Sequence, residues 1–456
     1  MSRPPEFSLG GVLDSDHIGL LLAIAMVWAV PLITAVVVER RDQRAPADDI
    51  GLMWLLVLAL YAGLPPLTWL IQGGHYTAAA DNRLFLMQPT TEEVSALVYI
   101  GLAYSCSFAA SYLILRGSAQ RAIAGAHVHG RVSTDQMMAA LVIVIIFKAT
   151  ILIIGLAGFV RSAESYIDSY KAIAELPVAA RQALKISGGI SAVAQLVLLV
   201  AILQRWPKQR FLFGVYLAMV LLSFDAEGSR AATLIGLIGV AIAWHVVVRP
   251  IRARSWVIAG VIGLLVFIAL GYRRTLGSWA DVDRLASDSV GLGEFDTLWA
   301  NGVELFRSKN TGHLLVPDAA RYGELWSIVP SQLLWFDKDQ LAEWYVRSYY
   351  PSHAFLGGGL GFGSIPQAVI GYGLYEAVVR GLALGAIAAW TTRWYQRPSP
   401  AWWRLPLFLY LLTTSYVSIR DSTFRPVDEL IQLGIPGLLV VSLLARLLAR
   451  RSTATR

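Results

Sequence analysis

Five arginines stand next to apolar segments, where a guanidinium group can bind an anion. A planar guanidinium binds phosphate oxygens bidentately, so several of them on one surface would suit a diphosphate. Each arginine alone also fits a structural ion pair, whereas the set together favours an anion site. The candidates are Arg230, Arg273, Arg274, Arg420 and Arg425.

His353 lies in a short stretch ahead of a glycine-rich run and is the candidate for general-base chemistry. An imidazole titrates near neutral pH and can accept a proton from a hydroxyl group. The alternative is that a lone loop histidine is incidental. The sequence has no glycine loop followed by lysine for phosphate binding and no Gly-x-Ser-x-Gly motif, and we predict neither a metal nor another cofactor.

Glu376 and Arg380 are spaced i,i+4 within an apolar segment, so a helix places them on one face. Ionisable side chains in such a segment are costly in lipid, and those present commonly serve function. The spacing favours a structural ion pair. A role in the site or in a proton path is the alternative.

The composition indicates that these residues belong to a membrane protein. Of the 456 residues, 56% are hydrophobic and 15% are charged, and the mean hydropathy is +0.56. Soluble domains carry about 25% charged residues, so a soluble globular fold and a disordered chain are excluded. The formal charge of +7 comes largely from arginines between apolar segments, which favours bilayer insertion over nucleic-acid binding. The single cysteine, Cys106, allows no intramolecular disulfide.

Apolar segments of membrane-spanning length recur along the chain. A transmembrane helix needs about 20 mostly apolar residues, and we identify eleven candidate segments. They predict an all-α, polytopic bundle. The predicted spans are Ile18–Val38, Ile50–Ile71, Val94–Leu115, Met137–Phe159, Gly188–Gln204, Phe211–Phe224, Ala231–Val248, Trp256–Tyr272, Ile365–Trp390, Trp402–Ile419 and Leu430–Leu448.

Basic residues in the short loops predict the orientation. They concentrate in alternate loops and in the C-terminal tail, and such loops face the cytoplasm. The N-terminus is therefore expected outside and the C-terminus inside. Residues 1–272 then hold spans one to eight, residues 273–364 form a long extracytoplasmic loop, and residues 365–456 hold spans nine to eleven and a cytoplasmic tail.

We expect this long loop to contain short helices and to have a functional role, since long connections in compact proteins are commonly functional. Its aromatic side chains suit stacking against sugar rings, and an interfacial aromatic belt is the alternative. These aromatic residues include Trp299, Trp326, Trp335, Trp344, Tyr345, Tyr349 and Tyr350.

Three short patterns accompany this architecture. They are Gly228-Ser229-Arg230; Ile328-Val329-Pro330 followed by Trp335-Phe336-Asp337-Lys338; and Gly359-Leu360-Gly361-Phe362-Gly363 running into Ile370-Gly371-Tyr372-Gly373-Leu374-Tyr375. With the many spans and the late outer loop, they resemble the bacterial O-antigen and exopolysaccharide repeat-unit polymerases of the Wzy type. The chain has Gln367 and Gly371-Tyr372-Gly373 where the family usually has an acidic residue and Asn-Phe-Gly.

The resemblance implies a glycosyltransferase of the bacterial inner membrane. Its donor would be a chain on undecaprenyl diphosphate and its acceptor one repeat unit on the same lipid, joined by a direct, inverting displacement without a metal. The implied partners are this lipid-linked oligosaccharide, membrane lipid and a chain-length regulator, with no nucleic acid. An O-antigen ligase and a lipid-sugar flippase or transporter remain as alternatives.

The chemistry of the candidate residues suggests their roles in such a reaction. Arg230, Arg420 and Arg425 would bind the diphosphate, with Arg273 or Arg274 in support, and Arg230 would also act in catalysis. His353 or a loop carboxylate would be the base. Glu376, Arg380 and Tyr372 would support the site.

Overall fold

The computed structural model consists of α-helices joined by turns, and its described residues form no β-strand. It describes residues 15–42, 49–76, 83–117, 130–156, 177–227, 230–252, 254–256, 258, 260–263, 294–326, 329, 340–351, 361–397 and 399–454. In chain order the helices are α1 (Ser15–Asp42), α2 (Ile50–Ile71), α3 (Arg83–Met87), α4 (Thr91–Arg116), α5 (Thr134–Leu156), α6 (Val178–Leu203), α7 (Arg210–Glu227), α8 (Arg230–Val247), α9 (Glu294–Asn310), α10 (Asp318–Tyr322), α11 (Leu341–Tyr349), α12 (Ser364–Ile370), α13 (Leu374–Gln396), α14 (Arg404–Thr414), α15 (Val417–Arg420), α16 (Arg425–Glu429) and α17 (Ile435–Ala454), with a 3-10 turn at Gly323–Trp326 and a π-turn at Leu430–Gly434.

Six helices within the described residues have the length and apolar character to cross a membrane. Large apolar side chains such as Leu22, Leu32 and Ile114 lie exposed on their outward faces. Water would penalise such faces, whereas lipid solvates them. The protein is therefore an all-helical membrane protein, which confirms the predicted fold class at this level. The six segments are Ile18–Arg41, Ile50–Ile71, Thr91–Arg116, Ile186–Leu203, Leu374–Gln396 and Arg425–Arg450.

The remaining predicted spans are largely helical where they are described, and a turn at residues 415–416 interrupts the tenth. The fourth corresponds to α5, and the tenth corresponds to α14 followed by α15. The sixth and seventh contain the shorter apolar helices Arg210–Leu221 and Gly236–Val247. In the eighth, Arg254–Gly263 is a short apolar helix, and residues 264–272 lie outside the described residues.

Helices α4 and α13 form the most extensively packed helix pair of the described bundle. Gly381 and Gly385 lie four residues apart on α13 and face α4. A Cβ atom at Gly381 would lie 2.0 Å from Ser107 Oγ, and one at Gly385 would lie 2.4 Å from the Phe108 carbonyl oxygen. Small residues at this spacing let two backbones approach closely, and such packing drives helix association in membranes.

Helix α9 comes from the predicted outer loop and packs against α2, α3, α4 and α12. Near its start, the Phe295 and Tyr61 ring centroids are 4.7 Å apart, and Trp299 Nε1 donates to the Tyr61 carbonyl at 2.6 Å. Near its end, Arg307 Nε forms an ion pair with Glu93 Oε1 at 2.5 Å. Tyr61 precedes the last residue of α2 by ten residues, or roughly 15 Å of helix, so α9 reaches deep between the spans.

The predicted ninth span is not one continuous helix. It divides into α12, which is buried along its whole length, and α13. In the connecting turn Gly373 has φ +62°, a conformation that glycine adopts at little cost. Lys309 Nζ donates to the carbonyls of Val369 at 2.8 Å and Gly371 at 2.7 Å, so an ammonium group satisfies acceptors at the end of α12. The prediction of an unbroken span is wrong because hydropathy alone does not reveal this break.

Candidate functional site

Arg380 is the centre of a buried polar cluster, and its side chain is only 11% exposed. Its Nη1 donates to Glu324 Oε2 at 2.6 Å and to Thr423 Oγ1 at 2.8 Å. The same atom lies 3.1 Å from Gln367 Oε1, and Nε donates to Glu376 Oε1 at 2.8 Å. A guanidinium with this many acceptors is fixed in orientation as well as neutralised.

These partners come from four separate segments of the chain. Arg380 and Glu376 lie on α13, Gln367 lies on α12, Glu324 lies in the 3-10 turn, and Thr423 lies between α15 and α16. The predicted i,i+4 ion pair is confirmed, but Arg380 approaches Glu324 more closely than Glu376. The pair is therefore part of a larger network that links the 3-10 turn at Gly323–Trp326 to α12, α13 and the segment between α15 and α16.

Glu324 receives donors on both carboxylate oxygens. Its Oε2 accepts from Arg380, and its Oε1 accepts from Ser422 Oγ at 2.5 Å and from the Phe424 backbone N–H at 3.1 Å. The Glu324 side chain is 5% exposed. A guanidinium, a hydroxyl and an amide thus surround one buried anion, which is how proteins commonly bind carboxylate or phosphate oxygens.

A layer of hydroxyl groups lies behind this cluster. Ser364 Oγ donates to the Ser418 carbonyl at 2.5 Å and lies 3.4 Å from Thr423 Oγ1. Gln367 Nε2 donates to the Asp421 carbonyl at 3.4 Å. These contacts hold α12 against α15 and the segment that follows it, so Gln367 and Thr423, two of the acceptors of Arg380, are held in place.

The predicted arginines Arg420 and Arg425 flank the segment that carries Thr423. Arg425 forms ion pairs with Asp428 at 3.0 Å and Glu429 at 3.3 Å, so the structural ion pair is the arrangement observed for this residue. Arg420 Nη1 lies 3.8 Å from Asp421 Oδ1, a looser pair, and its side chain runs beside Gly361.

The other predicted site residues are described in part or not at all. Arg230 is the first residue of α8, and its side chain lies outside the described residues. Arg273, Arg274 and His353 lie entirely outside them. The proposed roles of these four residues therefore stay predictions.

Charged side chains of both signs lie around the break between α12 and α13. Lys309, Arg321 and Arg380 are cationic, and Glu324 and Glu376 are anionic. Burial, followed by the charge of Arg321, lowers the pKa of the Lys309 ammonium, and Glu376 opposes this shift.

Exposed aromatic and apolar side chains lie next in sequence to Arg321, Glu324, Gly373 and Glu376, and we call them the rim of this cluster. Tyr372, which the sequence suggested as a supporting residue, is 66% exposed, and the Arg321 guanidinium lies 4.8 Å from its ring centroid. A mixed rim of rings and aliphatic chains beside a cation is typical of the membrane–water interface. The rim consists of Tyr322, Leu325, Trp326, Tyr372, Leu374 and Tyr375.

A second polar cluster joins α9 to α11. The Glu304 carboxylate accepts from the Tyr345 hydroxyl and from the Tyr350 hydroxyl, which lies 2.9 Å from Oε2. Tyr345 is buried and also lies 3.0 Å from Asn301 Oδ1. Trp299 is likewise buried, so Trp299 and Tyr345 are packed inside the fold and do not offer a ring for sugar stacking.

Sequence reasoning missed Glu324, Ser422 and Thr423 as members of the site. Glu324 lies 56 residues before Arg380, and no spacing rule connects the two positions. The only signal was indirect, since Glu324 belongs to an acidic, aromatic loop and Ser422 lies between two predicted arginines.

No group of three or more His, Cys, Asp or Glu side chains that could hold a metal ion occurs within the described residues. Compared with protein-family models, curated proteins and solved structures, the chain matches none of them.

Proposed function

We propose that this protein polymerises undecaprenyl-diphosphate-linked repeat units into O-antigen or exopolysaccharide at the outer face of the bacterial cytoplasmic membrane. The observation that carries the proposal is the buried Arg380 cluster beside an exposed aromatic and apolar rim. A lipid diphosphate needs both features, because its phosphates require cationic donors while its polyprenyl chain stays in lipid. The local sequence patterns that resemble Wzy-type polymerases support the same substrate class.

The proposed topology has eleven spans, with the N-terminus outside, the C-terminus inside and residues 273–364 on the outer face. Gly239 of α8 packs against Thr413 of α14, where a Cβ at Gly239 would lie 3.2 Å from Thr413 Cγ2. In this topology the two helices run in opposite directions. Arg230, nine residues before Gly239, and Arg420, seven residues after Thr413, then lie towards the same face as Arg380.

The reaction is a direct displacement at the anomeric carbon of the donor. The acceptor hydroxyl oxygen forms the new glycosidic bond, the bond between the anomeric carbon and the phosphate oxygen breaks, and undecaprenyl diphosphate leaves with the electron pair. Arginine side chains stabilise the charge on this leaving group. The hydroxyl proton passes to a base, for which His353 and a loop carboxylate are the candidates. One displacement inverts the anomeric configuration.

The test is an assay with purified protein in liposomes, a lipid-diphosphate-linked repeat unit, no nucleotide and a chelator. We expect a ladder of longer lipid-linked products that is lost in Arg380→Gln and Arg230→Ala. Arg347→Gln is the matched control, because Arg347 is 57% exposed and forms an ion pair with Glu343 one turn earlier on α11. The control should keep the ladder.

The outcomes separate the alternatives. Transfer of a whole chain to a lipid A–core acceptor, without a ladder, would replace the polymerase by a ligase. Movement of labelled lipid-sugar across the bilayer without any new bond would make the protein a flippase.

A further inference from the structure

The Glu324 carboxylate occupies a space formed by three donors of the membrane-embedded part of the protein. They are Arg380 Nη1 at 2.6 Å, Ser422 Oγ at 2.5 Å and the Phe424 N–H at 3.1 Å, and we call the space between them the anion hole. We infer that the anion hole binds a phosphoryl group of the substrate, and that Glu324 fills it as an internal substitute until the substrate displaces the carboxylate.

The donor set argues for a phosphoryl ligand. A guanidinium, a hydroxyl and a backbone amide are the groups that most often contact phosphate oxygens in proteins, and none of the three distinguishes a carboxylate from a phosphate. Thr423 Oγ1 lies within 2.8 Å of Arg380 Nη1 and offers a further hydroxyl. The two oxygens of Glu324 thus have the positions that two phosphate oxygens would take.

Electrostatics requires that an anion be present in either state. Arg380 is buried, and a buried guanidinium that loses a carboxylate partner is strongly destabilised. Glu376 alone stays on Nε when Glu324 leaves, because the two carboxylates contact different nitrogens. Exchange of Glu324 for a phosphate keeps Arg380 Nη1 paired, so the exchange is far less costly than opening an empty space.

Glu324 belongs to a short element that can move without unfolding the bundle. It lies in the 3-10 turn Gly323–Trp326 directly after α10, whereas the donors belong to α13 and the segment between α15 and α16. Leu325 and Trp326 of the same turn are exposed. Arg321 of the preceding α10 lies 4.8 Å from the Tyr372 ring centroid and so connects this element to the turn between α12 and α13.

The anion hole itself stands on the contacts above, while its assignment to a lipid diphosphate rests on the proposed function. Two probes test these two claims separately. Inorganic pyrophosphate tests the anion hole, and undecaprenyl diphosphate in mixed micelles tests the lipid form of the ligand.

The experiment measures the dissociation constants of both probes for the purified full-length protein by thermophoresis. Glu324→Gln keeps an acceptor for Ser422 and Phe424 but removes the competing charge, and we expect both probes to bind about tenfold more tightly. Ser422→Ala in the Glu324→Gln background removes one donor and should weaken binding about fivefold relative to Glu324→Gln alone. Glu93→Gln is the matched control, because it breaks the ion pair between Arg307 of α9 and α4 and changes no member of the anion hole, and it should leave both constants unchanged.

Each outcome decides the inference. Unchanged or weaker binding by a folded Glu324→Gln variant would overturn it, and so would equal tightening by Glu93→Gln. Tightening for pyrophosphate alone would overturn the lipid assignment and leave a site for free phosphates. If Glu324→Gln binds both probes more tightly but the liposome assay gives no product ladder, the anion hole is supported and the polymerase is refuted. If the ladder forms but Glu324→Gln binds neither probe more tightly, the polymerase is supported and the anion hole is refuted.

Discussion

The close contact between α4 and α13 gives the sharpest structural prediction, because it holds the backbone that carries Arg380. A Cβ at Gly381 would lie 2.0 Å from Ser107 Oγ and 2.6 Å from the Tyr104 carbonyl oxygen. The Ser107 hydroxyl can rotate, but the carbonyl belongs to the α4 backbone and cannot. A contact of 3.4 Å would require the helices to separate by about 0.8 Å, the difference between 3.4 and 2.6 Å. A movement of that size is enough to weaken the 2.6 Å bond between the neighbouring Arg380 and Glu324.

Two effects of opposite sign decide how Gly381→Ala changes the free energy of unfolding. Alanine gains about 1 kcal/mol over glycine in a helix interior, whereas overpacking costs about 1–3 kcal/mol. With a backbone oxygen as the obstacle we take the upper part of that range, so the variant should lose about 1–2 kcal/mol of unfolding free energy. Gly19→Ala is the control, because nothing lies within 4 Å of a Cβ at this helical position, and it should be neutral or stabilised by up to about 1 kcal/mol.

The assay is unfolding of the purified protein in mixed micelles with increasing SDS, followed by loss of helical circular dichroism. Product formation in the liposome assay is measured on the same samples, and Gly381→Ala should lower it while Gly19→Ala does not. Equal unfolding curves for the two variants would refute the reasoning, since only one of them has an obstacle.

Three further predictions concern residues 294–351, which carry α9, α10 and α11. Arg307→Gln removes the ion pair with Glu93 and should cost about 1–2 kcal/mol, less than a fully buried pair because the Arg307 side chain is 37% exposed; proteolysis within residues 294–326 should accelerate. The acylation rate of the Lys309 amine should rise with pH around a midpoint below the ordinary lysine pKa of 10.5, because burial lowers the pKa of Lys309. The unfolded state therefore holds this proton more tightly than the folded state, so the free energy of unfolding should rise as the pH passes from the lowered pKa towards 10.5. An acylation midpoint at or above that of free lysine would contradict this prediction. Tyr345→Phe removes the donor to Glu304 and should destabilise the protein by about 1–2 kcal/mol in the SDS assay, where an unchanged curve would count against a structural role.

Part of the site was predictable because it depends on local geometry. Glu376 and Arg380 are one helical turn apart, and any helix through both brings them together. The convergence of Glu324, Gln367 and Thr423 on the same guanidinium was not predictable, because these contacts span 56, 13 and 43 residues and depend on how α12 and the 3-10 turn at Gly323–Trp326 pack. The assignment of Trp299 and Tyr345 as stacking rings failed for the same reason, since burial is a property of the packed chain.

The sequence by itself determined the class of the protein, because apolar length and loop charge act locally on each segment and require no knowledge of its neighbours. Only the tertiary structure decided where the ninth span breaks and what holds the break. The residues around Gly371 are apolar enough to continue a span, and the ammonium group of Lys309 that stabilises the interruption lies more than sixty residues earlier on α9. The same long-range packing decided that the Glu324 carboxylate, and not only the neighbouring Glu376, neutralises Arg380. Buried charges form ion pairs with groups that lie close in space, and the sequence does not specify those distances.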